Sequence, residues 1–132
     1  MIDQMAQEKA FENRVKDFLH DNGCWFVKYW GGGEFTRSGI PDILVCCKGH
    51  FIGVEIKAPK GRPSALQIRN LRKIHSAGGY SILLYPKDFS RFQRLIWFLK
   101  VDAPDEVNTE YVFFVNEWIK WENHFERKGV FM

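Results

Sequence analysis

Three ionisable residues stand at the ends of two apolar runs. Asp42 precedes Ile43-Leu44-Val45-Cys46-Cys47, and Glu55 and Lys57 close Phe51-Ile52-Gly53-Val54-Glu55-Ile56-Lys57. Two carboxylates and an ammonium in one place can do a particular kind of chemistry. The acidic oxygens, joined by a main-chain carbonyl such as that of Ile56, suit a hard divalent cation. A lysine beside them can orient or deprotonate a water, or stabilise charge developing on a phosphate. Spread over a solvated hairpin the same residues would do nothing, so the question is whether the chain brings them together.

A hairpin does so. Both runs are β-rich, and only Lys48-Gly49-His50 separates them. A two-residue turn at Gly49-His50 sets Lys48 opposite Phe51, Val45 opposite Val54, Ile43 opposite Ile56 and Asp42 opposite Lys57. Directly opposed residues share a face, as do alternate residues along one strand. Asp42, Glu55 and Lys57 then project from one side and Ile52, Val54 and Ile56 from the other. Asp42 and Glu55 become diagonal neighbours.

The elements around this hairpin can be read in order. Residues from Asp3 to Asn22 carry Phe11, Val15, Phe18 and Leu19 at helical spacing, with Gly23 as a stop. Cys24 to Trp30 is β-rich and ends at Gly31-Gly32-Gly33. No helix start with Lys-Ser/Thr follows, so these glycines are not a phosphate-binding loop; they let the chain turn and the loop Glu34–Gly39 move over the site. Ala58-Pro59-Lys60-Gly61-Arg62-Pro63 cannot continue a strand. Ser64 then opens a helix in a capping box with Gln67. Leu71, Ile74 and Gly78 share the face of Gln67, which would turn this glutamine toward the core. Tyr80 to Tyr85 is a strand, reached by a right-handed parallel crossover. A helix capped by Asp88 runs through Lys100, followed by a loop Asp102–Asn108, a strand Tyr111–Val115 and a helix from Asn116.

The extended pattern Arg37-Ser38-Gly39-Ile40-Pro41-Asp42, Gly53-Val54-Glu55-Ile56-Lys57-Ala58-Pro59-Lys60-Gly61 and Gln67 resembles the PD-(D/E)XK nuclease superfamily. Within it, the pattern is similar to the VRR-NUC (virus-type replication-repair nuclease) branch. The resemblance spans residues 5–86. It implies an α/β fold with a restriction-endonuclease-like αβββαβ core, here followed by a helix-strand-helix extension over 87–132, as one nuclease domain over 1–132. It implies that Asp42, Glu55 and the Ile56 carbonyl hold Mg2+ or Mn2+, that Lys57 aligns the attacking water, and that products carry 5′-phosphate and 3′-hydroxyl ends. It also implies a glutamate on the first helix that points into the site. Glu12 is the matching position, serving a second metal or the water shell, with Glu8 a turn earlier as its competitor. Read alone, Glu12 is a rim glutamate paired with Lys16. Gln67 would orient water or the lysine in addition to capping its helix.

Charge distribution points the same way. The net charge is only +3, yet no acidic residue lies between Ile56 and Lys87, while Asp102 to Glu126 is acid-rich. A basic half beside the carboxylates suits a polyanion. Arg37, Ser38, Lys60, Arg62, Arg69, Arg72 and Lys73 are the candidates to line a nucleic acid. Three cysteines, an odd number without zinc-type spacing, argue against a disulfide framework or a zinc site and for buried small apolar side chains in a reducing, cytoplasmic setting. No membrane span or leader is visible. The expected function is a metal-dependent, structure-specific DNA endonuclease acting on branched DNA such as Holliday junctions, in replication or repair, as a homodimer. The alternatives are a sequence-specific or non-specific nuclease, or a non-catalytic nucleic-acid-binding module. The five Trp and twelve Phe leave aromatic side chains to spare for a subunit contact, either at the hairpin edge with the first helix or after Pro86.

Overall fold

The computed structural model describes residues 3–31 and 37–131. Residues 32–36, on which the expectation of a loop moving over the site rests, lie outside them. The elements are α1 (Gln4–Asp21), β1 (Trp25–Lys28), β2 (Ile43–Cys47), β3 (His50–Ile56), α2 (Ala65–Ser76), β4 (Tyr80–Leu84), a 3-10 turn (Pro86–Asp88), α3 (Phe89–Lys100) and α4 (Pro104–Arg127). The four strands form one sheet in the order β1-β2-β3-β4. β1, β2 and β3 pair antiparallel, whereas β4 lies parallel to β3 and is reached through α2. This is the αβββαβ order of a restriction-endonuclease-like core.

Alternation along the strands decides what covers each face. Ile43, Val45, Ile52, Val54 and Ile56 join Phe11, Val15 and Leu19 of α1 and Phe92, Leu95 and Ile96 of α3 in one core. On the opposite face, Leu83 packs with Ile68 and Leu71 of α2 and Trp118 of α4. The Trp118 indole N–H is satisfied there by the Ser81 carbonyl at 3.1 Å. α2 lies close to the sheet because β3 carries a glycine: a Cβ at Gly53 would sit 2.9 Å from Ile74 Cδ1 and 3.1 Å from Pro41 Cγ. Toward β1 and β2 this second face is uncovered. Trp25, Val27 and Phe51 are exposed there, with Cys46 beside them, so one of the three cysteines is not buried as expected.

The hairpin register differs from the expectation by two residues. Its turn is Lys48-Gly49, both with positive φ (50° and 84°), as a type I′ turn requires. Cys47 therefore faces His50, and Ile43 faces Val54. A shift of two preserves which side chains share a face, so the convergence survives. Continued one step, the ladder brings Asp42 opposite Glu55 rather than Lys57.

The C-terminal extension also differs. Tyr111–Val115 is not a strand and 104–108 is not a loop; both belong to the single helix α4. The β-branched and aromatic composition of that run misleads, because over a longer window Val107, Glu110, Tyr111, Phe114 and Trp118 recur at helical spacing and are all buried. Pro104 at the first turn, followed by Asp105 and Glu106, is a helix start. Asp88 does not cap α3 with its side chain, which instead pairs with Lys87 at 3.1 Å.

Candidate active site

Asp42 leads into β2, and Glu55 and Lys57 lie at the end of β3, where the hairpin strands and β4 terminate together. The Asp42 side chain is tied across the hairpin, its Oδ2 accepting the Ile56 N–H at 2.8 Å. The Tyr29 N–H donates to the Asp42 carbonyl at 2.8 Å and fixes its backbone. Glu55 is 2% exposed. Its Oε2 accepts from Gln67 Nε2 at 2.9 Å and lies 3.4 Å from Lys57 Nζ. Its Oε1 is buried with no hydrogen-bond partner. Burial, and then the negative charge of Asp42, push the Glu55 carboxyl up to about 9 against the opposing charge of Lys57. Two carboxylates this close, one of them dehydrated, are poorly accommodated without added positive charge.

Gln67 holds both of its expected positions at once. Its Oε1 accepts the Ser64 N–H at 2.9 Å while Ser64 Oγ accepts the Gln67 N–H at 3.1 Å, which completes the capping box. The amide nitrogen is left free to reach Glu55. The N-terminus of α2 and the orientation of a site carboxylate are thereby set by one side chain.

On α1, Glu12 is buried and bound by three ammonium groups, Lys28 at 2.5 Å, Lys9 at 3.3 Å and Lys16 at 3.4 Å. Burial raises its carboxyl, but the Lys28 and Lys9 hydrogen bonds and charges prevail and hold it below the ordinary value. Lys28 also approaches Asp42 Oδ1 at 3.5 Å, so it links the two carboxylates. Glu8, half-buried one turn earlier, is raised by burial, and it senses Lys57, Asp42, Lys28 and Glu12. Both helix glutamates therefore border the site, with Glu12 joined to Asp42 through Lys28. Sequence reading missed Lys28. Its signal was strand parity: with Phe26, Lys28 falls on the covered face of β1, where an ammonium needs a carboxylate partner.

The basic candidates divide. Lys60, Arg62, Arg69 and Lys73 are exposed, with Arg62 over the Trp121 ring and Arg69 over that of Phe131. Arg72 already has a protein partner: its guanidinium forms a two-bond fork with Glu122 at 2.9 and 2.7 Å, and so fastens α2 to α4. Arg37 and Ser38 are exposed, and the Arg37 backbone is held by the Tyr29 hydroxyl through its N–H at 2.8 Å and its carbonyl at 3.1 Å.

A hard divalent cation fits this donor set. Among the described residues no three His, Cys, Asp or Glu side chains gather at one point, so protein carboxylates would supply two ligands. That is the usual share for Mg2+, which keeps water for the remainder of its shell. The unsatisfied Glu55 Oε1 is an oxygen in want of such a partner. A cavity of about 410 Å3, lined by His50, His75, Tyr80, Phe98 and Tyr111, lies toward the other end of the sheet and contains none of these groups.

Comparison with known proteins agrees with the geometry. The family model described as archaeal Holliday junction resolvase (Hjc) matches residues 3–84, from α1 through β4. The provisionally named nuclease p44 of Acyrthosiphon pisum secondary endosymbiont phage 1 is 30% identical over 88 residues, which cover 66% of this chain and 91% of that protein. No solved structure matches significantly. Among the described residues no helix is long and apolar enough to cross a membrane.

Proposed function

This chain belongs to the archaeal Holliday junction resolvase family and is a nuclease, and from that premise we propose that it is a metal-dependent, structure-specific endonuclease of branched DNA. One observation carries the reading. Asp42 and Glu55 converge beside Lys57, and a buried Glu55 oxygen has no partner among the described residues. Within the superfamily we place it in the VRR-NUC-type branch, on the run from Gly53 to Gly61 and on Gln67. We also treat the whole chain as one domain, with α3 and α4 as an addition to the core.

Mg2+ or Mn2+ held by Asp42, Glu55 and the Ile56 carbonyl would supply positive charge to a phosphate oxygen and acidify a nearby water. The chain's own residues set the stage for that. The Ile56 N–H fixes Asp42 Oδ2 and Gln67 fixes Glu55 Oε2, so neither carboxylate has to be ordered when substrate arrives. Lys57 brings an ammonium to the position where charge develops during in-line attack. Lys28, with Glu12, holds the α1 side of the site against Asp42. Lys60, Arg62, Arg69 and Lys73, with Arg37 and Ser38, would carry the strand backbone.

Gln67 gives a test that separates its two duties. Gln67→Glu keeps an acceptor for the Ser64 N–H, so the cap persists and the melting temperature should stay within a few degrees. It sets a second carboxylate against Glu55, and turnover should fall at least about tenfold. Gln67→Ala should lose both, with a stability cost of about 1 kcal/mol. Normal turnover in either variant would remove Gln67 from the site.

The substrate prediction concerns assembly. Paired cuts at a four-way junction require two sites in fixed relation, which a two-fold dimer provides. The sequence left open the hairpin edge with the first helix and the segment after Pro86. Because α1 packs on the other side of the sheet, we favour the uncovered face of β1 and the hairpin without the helix. That face exposes Trp25, Val27 and Phe51, whereas of the aromatic side chains after Pro86 only Trp97 is exposed. The protein should sediment as a dimer at micromolar concentration. It should bind a four-way junction more tightly than linear duplex and nick it symmetrically with Mg2+ or Mn2+ but not in chelator. Trp25→Asp should yield monomers that no longer make paired cuts. A wild-type monomer that cuts linear and branched DNA equally would replace this reading with that of a non-specific nuclease.

A further inference from the structure

We propose that Trp30 is the platform on which a base at the branch point, beside the cleaved phosphate, stacks, so that it helps to select branched over linear DNA. The proposal rests on the reading of Asp42, Glu55 and Lys57 as the phosphodiester site.

Trp30 follows β1 by two residues and is 70% exposed. Two cations stand beside its ring, with Lys9 Nζ 5.7 Å and Lys28 Nζ 5.5 Å from its centroid, both of them held by the carboxylate of Glu12. The same Lys28 ammonium is 3.5 Å from Asp42 Oδ1 and 5.5 Å from the ring, so the indole is no more than about 9 Å from the site carboxylate. Its backbone is anchored next door, where the Tyr29 N–H bonds the Asp42 carbonyl. The exposed Trp25 differs: it lies on the outer sheet face paired with Cys46, away from these lysines.

An aromatic face flanked by ammonium groups is the combination that binds single-stranded nucleic acid, with bases stacked on the ring and phosphates on the cations. The distance places one nucleotide between ring and carboxylates. A base inside a duplex is stacked on both sides and must be unstacked, at a cost, before a side chain can take its face. In a flap that base is already unpaired, and at an open crossover it has lost the stacking neighbour on the far side of the branch, so its face is reached at a lower cost. Trp30 therefore adds affinity where the strand is branched and little where it is continuous.

Three full-length proteins test this: wild type, Trp30→Ala and Trp30→Phe. Each is titrated with a four-way junction and with linear duplex of equal length. Each junction carries 2-aminopurine at one of the two nucleotides flanking the cut, and sedimentation is run alongside. Wild type should quench the probe at one flanking position. Trp30→Ala should lose that quenching and about tenfold or more in junction affinity, while its duplex affinity changes less than about threefold; Trp30→Phe should recover most of the loss. Wild-type affinity and quenching in Trp30→Ala would overturn the proposal, and so would equal losses on both DNAs. Conversion of Trp30→Ala to monomer would assign the indole to the subunit contact and likewise overturn it. None of these results touches the reading of Asp42, Glu55 and Lys57 as the phosphodiester site, which fails if wild type cuts none of the DNAs, and the proposal then fails with it.

Discussion

Glu55→Gln is expected to abolish cleavage and, at pH 8, to raise the melting temperature of the metal-free protein by several degrees. The two effects share one cause. Glu55 is buried with an unsatisfied oxygen, and burial and Asp42 push its carboxyl from 4.5 up to about 9. In the folded chain it therefore keeps its proton to higher pH than in the unfolded chain. Between those two values the folded state binds more protons, so this group makes stability fall as pH rises and contributes no penalty below about 4.5. At pH 8 the destabilisation is on the order of 2–4 kcal/mol, which a neutral amide still able to meet Gln67 avoids. Thermal melts at pH 5 and pH 8 check this: the advantage of the variant should be large at pH 8 and small at pH 5. Adding Mg2+ should stabilise wild type and leave the variant unchanged. A variant less stable than wild type at both pH values would show that Glu55 is not strained by its charge.

Asp42→Asn and Lys57→Ala should each slow cleavage by about 10²–10³ or more, with different signatures. Asn at 42 retains an oxygen for the Ile56 N–H, so the hairpin persists while one ligand charge is lost. Its defect should appear as weakened metal affinity, with more Mg2+ needed for half-maximal rate, as well as a lower rate. Lys57→Ala removes no ligand. Metal affinity should persist in it, and single-turnover rates at saturating Mg2+ should still be low. Rates near wild type in either variant would remove that residue from the chemistry.

The convergence of the candidate side chains was more legible in the sequence than the elements around them. Strand alternation brought Asp42, Glu55 and Lys57 to one face whichever residues made the turn, because a register error of two residues leaves faces unchanged. The turn itself was misread because the left-handed conformation at its first position falls to a lysine, Lys48, and not to a glycine. Gln67 could be recognised as a cap from its distance to Ser64. That its nitrogen also reaches Glu55 depends on how closely α2 approaches the sheet, which spacing does not encode. Lys28 and Arg72 show the same limit. Whether a basic side chain faces a phosphate or an internal carboxylate depends on tertiary partners, Glu12 and Asp42 for one and Glu122 for the other. In α4, short-range β propensity gave way to a stripe that only a longer window reveals.

The bare Gly53 backbone also acts as a gear between packing and catalysis. α2 touches the sheet through Ile74 at this position, and the same helix carries Gln67, whose amide reaches Glu55 two residues farther along β3. A methyl group inserted at Gly53 would press at once on the Ile74 Cδ1 end and on the Pro41 ring, and so on the helix that carries Gln67 and on the residue next to Asp42. Turnover could thus be tuned by substitutions at a seam that touches neither DNA nor metal. A lineage adjusting its cutting rate would find that dial here, without altering Asp42, Glu55 or Lys57.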